Sequence, residues 1–140
     1  IIDNSVTLPP QAIEAEQSLL GSLMLDQRAM DDIESDIEVR DFYRSDHQYI
    51  YTAIHALIQR DEAVDVVTVS EELEKEGKLK QTGGLAYLGA LAKNTPNSAN
   101  IKAYAKIVRE RAVLRRLIET SNDIIEKSYH PDGMMPADIL

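Results

Sequence analysis

The sequence predicts an all-α fold: a compact orthogonal head of about five helices, then one long helix that begins an αα-hairpin. Three observations carry this. Apolar residues recur in steps of three, four and seven, the helical period, through most of the chain. The one stretch of strand-like composition, Val64 to Val69, has no second strand to pair with, and a lone strand is not stable. Aromatic residues are scarce, with no Trp and Phe42 as the single Phe, so the core is aliphatic and suits packed helices.

Residues 1–8 show no sustained period and read as a flexible N-terminal tail. The helical head is expected over residues 9–96. Pro9-Pro10 ends the tail and opens the first helix, since Pro is tolerated in a first helical turn. That helix runs from about Gln11 to Leu25 and buries Ile13, Leu19, Leu20, Leu23 and Met24. Gly21 in its middle costs about 1 kcal/mol relative to Ala, which marks either the close approach of another helix or simple tolerance. Asp26 caps a short second helix through Met30 and Ile33. Ser45-Asp46-His47-Gln48 has the form of a capping box and starts a third helix to about Gln59. This helix buries Ile50, Ala53, Ile54, Leu57 and Ile58, with Phe42 and Tyr43 under its first turn. Thr68-Val69-Ser70-Glu71 reads as a second box, which makes Val64 to Thr68 an extended connector and Val69 to Glu76 the fourth helix, stopped by Gly77. Thr82-Gly83-Gly84 is a turn. The fifth helix, Leu85 to Lys93, buries Leu85, Leu88 and Leu91, with Asn94 and Thr95-Pro96 ending it.

The second part, residues 97–140, is organised by Asn97 to Ser128. This run has no Gly or Pro and reads as one helix of some 45 Å, capped by Asn97. The head before it can cover about the first half. The second half still carries Leu117, Ile118, Ile124 and Ile125, and an uncovered apolar stripe of that size marks an interface. Tyr129-His130-Pro131-Asp132-Gly133 then makes a tight turn, and Pro136 to Leu140 reads as the first turn of a returning helix. The chain therefore reads as a fragment cut inside a structural unit.

The formal net charge is −9, from 15 Lys and Arg against 24 Asp and Glu, so the surface repels phosphate and a dedicated DNA-binding module is disfavoured. The absence of Cys excludes a disulfide scaffold and a thiolate metal site, and fits a reducing compartment. No apolar run approaches ~18 residues, and the N-terminus lacks the pattern of a signal peptide, so no membrane partner is expected and the cytoplasm is the expected location.

No catalytic, cofactor or metal residues are expected. Gly77-Lys78 is followed by Leu79 and lacks the upstream Gly of a phosphate-binding loop. His47 and His55 lie eight apart on one helix and read as solvated or capping residues. Asp31-Asp32 and Glu71-Glu72 read as carboxylates favouring helix starts. One feature runs against the net charge: Lys102, Lys106, Arg109, Arg111, Arg115 and Arg116 on the near half of the long helix. It reads either as a solvated face with pairs such as Arg115 with Glu119, or as a basic strip meeting an acidic surface on another subunit or protein. A helical DNA-binding or dimerisation module of an unrelated regulator is the rival function.

Residues 10–23, Pro-Gln-Ala-Ile-Glu-Ala-Glu-Gln-Ser-Leu-Leu-Gly-Ser-Leu, resemble the opening helix of the N-terminal domain of DnaB-type bacterial replicative helicases. Further matches follow in order: Asp41-Phe42-Tyr43 with His47; Asp65 with Leu73-Glu74 and Gly77; Gly83 to Leu88; Asn94-Thr95-Pro96 with Ala99-Asn100-Ile101; and Ile107 to Ala112. Met134-Met135-Pro136 departs from the family pattern, which is usually polar there. The resemblance implies the collar of a hexameric, ATP-dependent replicative DNA helicase, built as a trimer of dimers. ATP and magnesium would serve a motor domain absent from this chain, and DNA would be met only through the whole ring. The implied partners are a second copy of the domain, primase and a helicase loader. On this reading Leu114, Leu117, Ile118, Ser121, Ile124 and Ile125 form the hairpin seam between subunits, and Arg109, Arg111 and Arg116 are candidates for primase docking.

Overall fold

The computed structural model describes residues 7–140, so most of the expected tail, residues 1–6, lies outside the described residues. The helices are α1 (Ile13–Leu25), α2 (Met30–Ile33), α3 (Ser45–Gln59), α4 (Val66–Lys75), α5 (Gly84–Lys93), α6 (Ile101–Tyr129) and α7 (Pro136–Ile139). Short 3₁₀ turns lie at Gln27–Ala29, Val39–Asp41 and Lys80–Thr82, and no strand occurs among the described residues. None of these helices is long and apolar enough to cross a membrane.

The hub is α1, which packs against α3, α5 and α6. Its run from Leu19 to Met24 is buried without a break, as expected of a helix surrounded on several sides. Leu19, Leu20 and Leu23 are fully enclosed, each worth roughly 1.5–3 kcal/mol relative to exposure. Ile13, expected in the core, is only half-buried at the open end. The helix starts at Ile13, not Gln11, because Pro9-Pro10 is not a helical turn. The Pro10 carbonyl accepts from Arg115 Nη1 at 2.8 Å, which straps the segment onto α6. Gly21 is a close-approach residue: a Cβ there would run into Thr95 Oγ1 and the Leu91 carbonyl at the end of α5.

Several helix starts differ from expectation, each for a tertiary reason. Asp26 caps as predicted, its side chain accepting from the Arg28 N–H. The Ser45–Gln48 box does not form. Arg44 is the N-cap, Gln48 donates to the Phe42 carbonyl, and the Tyr43 N–H is taken at 2.7 Å by Glu16 of α1. Phe42 is buried against Tyr51, 5.0 Å between ring centres, but Tyr43 is more than a third exposed. Ile58 is half-buried.

The Val64–Thr68 connector is mostly helix: α4 begins at Val66, capped by a reciprocal Asp65–Thr68 pair with both bonds at 2.8 Å. Burial of Val69 and Leu73 overrides the strand preference of the valines. Glu71 and Glu72 consequently fall inside the helix and not at its start, and Glu72 is held by Arg60 at 2.6 and 3.0 Å. Gly77 ends α4 as expected, at φ +69°, where a side chain would be strained. In α5, Leu88 and Leu91 face inward, whereas Leu85 is about half exposed. The long helix starts at Ile101. Asn97 accepts from the Ala99 N–H in the preceding turn, and Asn100 is the N-cap. At its far end Asp132 and Gly133 turn the chain at positive φ, and Pro136 opens α7, which contacts α6.

Candidate assembly and docking surface

The side chains of α6 divide at Ala112. Before it, Ile101, Ala105, Val108 and Ala112 are buried against the head. Beyond it no residue of α6 is buried. Leu114, Leu117, Ile118, Ile124 and Ile125 are each 44–58% exposed, and Ser121 between them is exposed too. At 3.6 residues per turn the buried stripe and the bare stripe point roughly 170° apart. The head therefore sits on one side of the rod, and the uncovered face looks the other way. An open groove of about 540 Å³ lies where the two regimes meet, between Leu8, Tyr43, Arg115 and Ile118.

The basic residues flank the buried stripe, and most turn inward. Asp41, fully buried in the 3₁₀ turn Val39–Asp41, accepts from Arg109 Nη1 at 3.2 Å on both carboxylate oxygens and pairs with Arg116 at 3.5 Å. Its own turn supplies a further bond, from the Glu38 N–H at 2.8 Å. Arg115 completes the clasp from the other flank. It donates to the Pro10 and Asp41 carbonyls, both at 2.8 Å, and its guanidinium lies over Tyr43. Charged hydrogen bonds of this kind are roughly twice as strong as neutral ones. The suggested Arg115–Glu119 pair is therefore replaced by bonds to the head, and Arg109 and Arg116 spend their charge within the chain. Arg111 is partly exposed and has no ion pair among the described residues. Sequence reasoning missed Asp41 because its partners lie 68 residues or more away; the only local hint is the Glu38–Asp41 spacing of a capping box.

The expectation for His47 is also corrected. It is fully buried: Nδ1 lies 2.7 Å from Glu16 Oε1 and Nε2 lies 2.7 Å from the Tyr87 hydroxyl. Gln17 donates to the same hydroxyl at 3.1 Å. This relay ties α1, α3 and α5 together and leaves no buried side-chain polar atom without a partner among the described residues. His55 is half-exposed beside Glu34, as a solvated residue would be. No three His, Asp or Glu side chains among the described residues are placed to share a metal ion. Tyr51 is pushed up to about 12, chiefly by burial, and keeps its proton in the core.

The family model of the DnaB-like helicase N terminal domain matches residues 8–110. A replicative DNA helicase DnaB of Buchnera aphidicola is 44% identical over 131 residues, which is 94% of this chain and 28% of that protein. The chain thus spans between a quarter and a third of the length of the curated relatives it matches. The crystal structure of the N-terminal domain of DnaB helicase from Mycobacterium tuberculosis superposes with a TM-score of 0.91 at 41% identity, covering 94% of this chain and 92% of that one. A DnaB-like replicative helicase, described together with its interactions with primase, matches with a TM-score of 0.73 at 26% identity, covering 83% of this chain and 27% of that one.

Proposed function

As this chain belongs to the family of DnaB-like helicase N-terminal domains, we propose that it is the collar domain of a hexameric, ATP-dependent replicative DNA helicase. On this reading it assembles the ring, offers a docking site to primase and works in the cytoplasm. ATP and magnesium are used by another part of the protein, DNA is met only through the ring, and a helicase loader is a further partner. The observation that carries the reading is the bare stripe on the far half of α6. A helix that outruns its own head and stays apolar, with Leu117 58% and Ile125 53% exposed, is built to be covered by another surface. The relative whose structure is described with primase supports the docking role.

Within the seam the interface residues are Leu114, Leu117, Ile118, Ser121, Ile124 and Ile125. Arg111 is the best placed of the three docking candidates, because Arg109 and Arg116 are engaged by Asp41. The test is light scattering on the chain and on the double variant Ile118→Asp with Ile124→Asp. The unsubstituted chain is expected to self-associate and the variant to stay monomeric; an unchanged mass for the variant would remove the seam from these residues. Calorimetric titration with the helicase-binding part of a bacterial primase then compares Arg111→Glu with the parent. Equal affinity would leave Arg111 as ordinary surface.

A further inference from the structure

We infer that the buried His47 relay is a proton-sensitive switch: a proton on the imidazole reverses one hydrogen bond and turns the Tyr87 hydroxyl from the core toward the open groove between α1 and α5.

The direction of each bond follows from what its groups can donate. The Gln17 amide nitrogen is a donor only, so its 3.1 Å bond uses a lone pair of the Tyr87 oxygen. The hydroxyl hydrogen then goes to His47 Nε2, 2.7 Å away, which accepts it and carries no proton of its own. At the other end Glu16 already receives the Tyr43 N–H at 2.7 Å and the Arg44 N–H at 3.5 Å, as an ionised carboxylate does. It also lies 2.7 Å from Nδ1, which therefore carries a hydrogen. Both ends fix the same neutral ring, with its single proton on Nδ1.

A second proton changes one end only. The Nδ1–H bond to Glu16 keeps its direction. Nε2 becomes a donor, and the Tyr87 oxygen accepts from His47 and Gln17 together. The hydroxyl hydrogen loses its acceptor and has to point elsewhere. Tyr87 is half-buried and lines an open groove of about 220 Å³ with the polar side chains of Glu14, Ser18 and Asn94. The groove thus gains a hydroxyl donor when His47 is charged and loses it when His47 is neutral.

The titratable and charged groups facing the ring are Glu16 on α1, Tyr87 on α5, Asp46 in the first turn of α3, 4.0 Å from Nε2, and Arg44 just before α3. Arg44 lies over the Tyr87 ring and is paired with Asp46, which leaves Glu16 as the counter-ion of a charged imidazole. Histidine is the side chain whose ordinary titration falls between about pH 5 and 8, so the device works where cells do.

The test uses the whole chain, uniformly isotope-labelled. Long-range proton–nitrogen spectra read which ring nitrogen carries a proton, with the more exposed His55 and His130 as solvated references. Above neutral pH, His47 is expected to show a proton on Nδ1 and a bare Nε2. As the pH falls, with helical circular dichroism unchanged, Nε2 should become protonated. The Tyr87 Cζ and Gln17 amide signals should shift with the same midpoint, and Tyr87→Phe should abolish the Gln17 shift. A neutral ring with its proton on Nε2 would overturn the inference, as would a ring that keeps one charge state until the helices melt. Protonation that leaves Tyr87 and Gln17 unmoved, or a Gln17 shift that persists in Tyr87→Phe, would reduce the relay to a static tie and overturn the switch.

Discussion

The two halves of α6 belong to one unbroken helix yet obey different rules. From Ile101 to Ala112 the larger apolar side chains are enclosed or half-buried against the head, and Arg109 reaches back to it. From Val113 to Tyr129 the apolar side chains are as numerous but lie open to water, and past Arg115 and Arg116, which still reach the head, the ion pair among the described residues runs along the helix, Lys127 with Asp123 at 3.0 Å. Helical periodicity is the same in both. What differs is whether this chain supplies the cover: the head encloses the first half and leaves the second open to water.

The sharpest way to break that contrast is to place the same charge in each half. Val108→Asp buries a carboxylate at a site 1% exposed and should cost about 3–5 kcal/mol, read as a large drop in the urea midpoint. Ile125→Asp should leave the stability of the monomer within about 0.5 kcal/mol and act only on self-association. If Ile125→Asp unfolds the chain, the far half is part of the core after all.

Two substitutions test the packing inside the head and its grip on α6. Gly21→Ala should cost about 1–3 kcal/mol, because the methyl group collides with the backbone of α5 as well as with Thr95. Asp41→Asn should cost about 1–2 kcal/mol. That is less than for a fully buried pair, since the Arg109 and Arg116 side chains are 40% and 33% exposed. Cysteine-attached spin labels on the head and at the tip of α6 should then report a broadened distance distribution for Asp41→Asn. An unchanged distribution would reduce the clasp to a minor contact.

The smallest effect concerns the head alone. Hydrogen bonding to Arg60 holds the Glu72 carboxyl below its ordinary value of 4.5. A depressed folded value means that its stabilisation is present above about pH 4.5 and is lost as pH falls through the folded value. Glu72→Gln should therefore flatten the acid side of the stability–pH curve and leave the slope near neutrality unchanged, measured by urea midpoints across that range.

Much of this architecture was legible in the residues, and the parts that were not share one cause. The long rod, the stop at Gly77, the turn at Asp132-Gly133 and the bare stripe all follow from local pattern, so periodicity and turn chemistry reach them. The start of α3 does not, because its amide partner is Glu16, 27 residues upstream. Nor do the roles of Asp41 and His47, whose partners are 68 and 31 residues away. A lone Asp or His in the sequence looks the same whether it meets water or a buried guanidinium. The error over Val64–Thr68 has a different origin: strand propensity favoured extension, but the cap at Asp65 and the burial of Val69 outweighed it.

The Asp41 clasp grips α6 between Arg109 and Arg116, near the middle of a rod of roughly 43 Å that has no internal break. It therefore works as a fulcrum: about 20 Å of helix lies beyond Arg116, and a tilt of about 5° sweeps the tip through roughly 2 Å over that length. Small adjustments of three arginines around one aspartate would thus be carried to the tip as a sideways shift of the exposed stripe relative to the head.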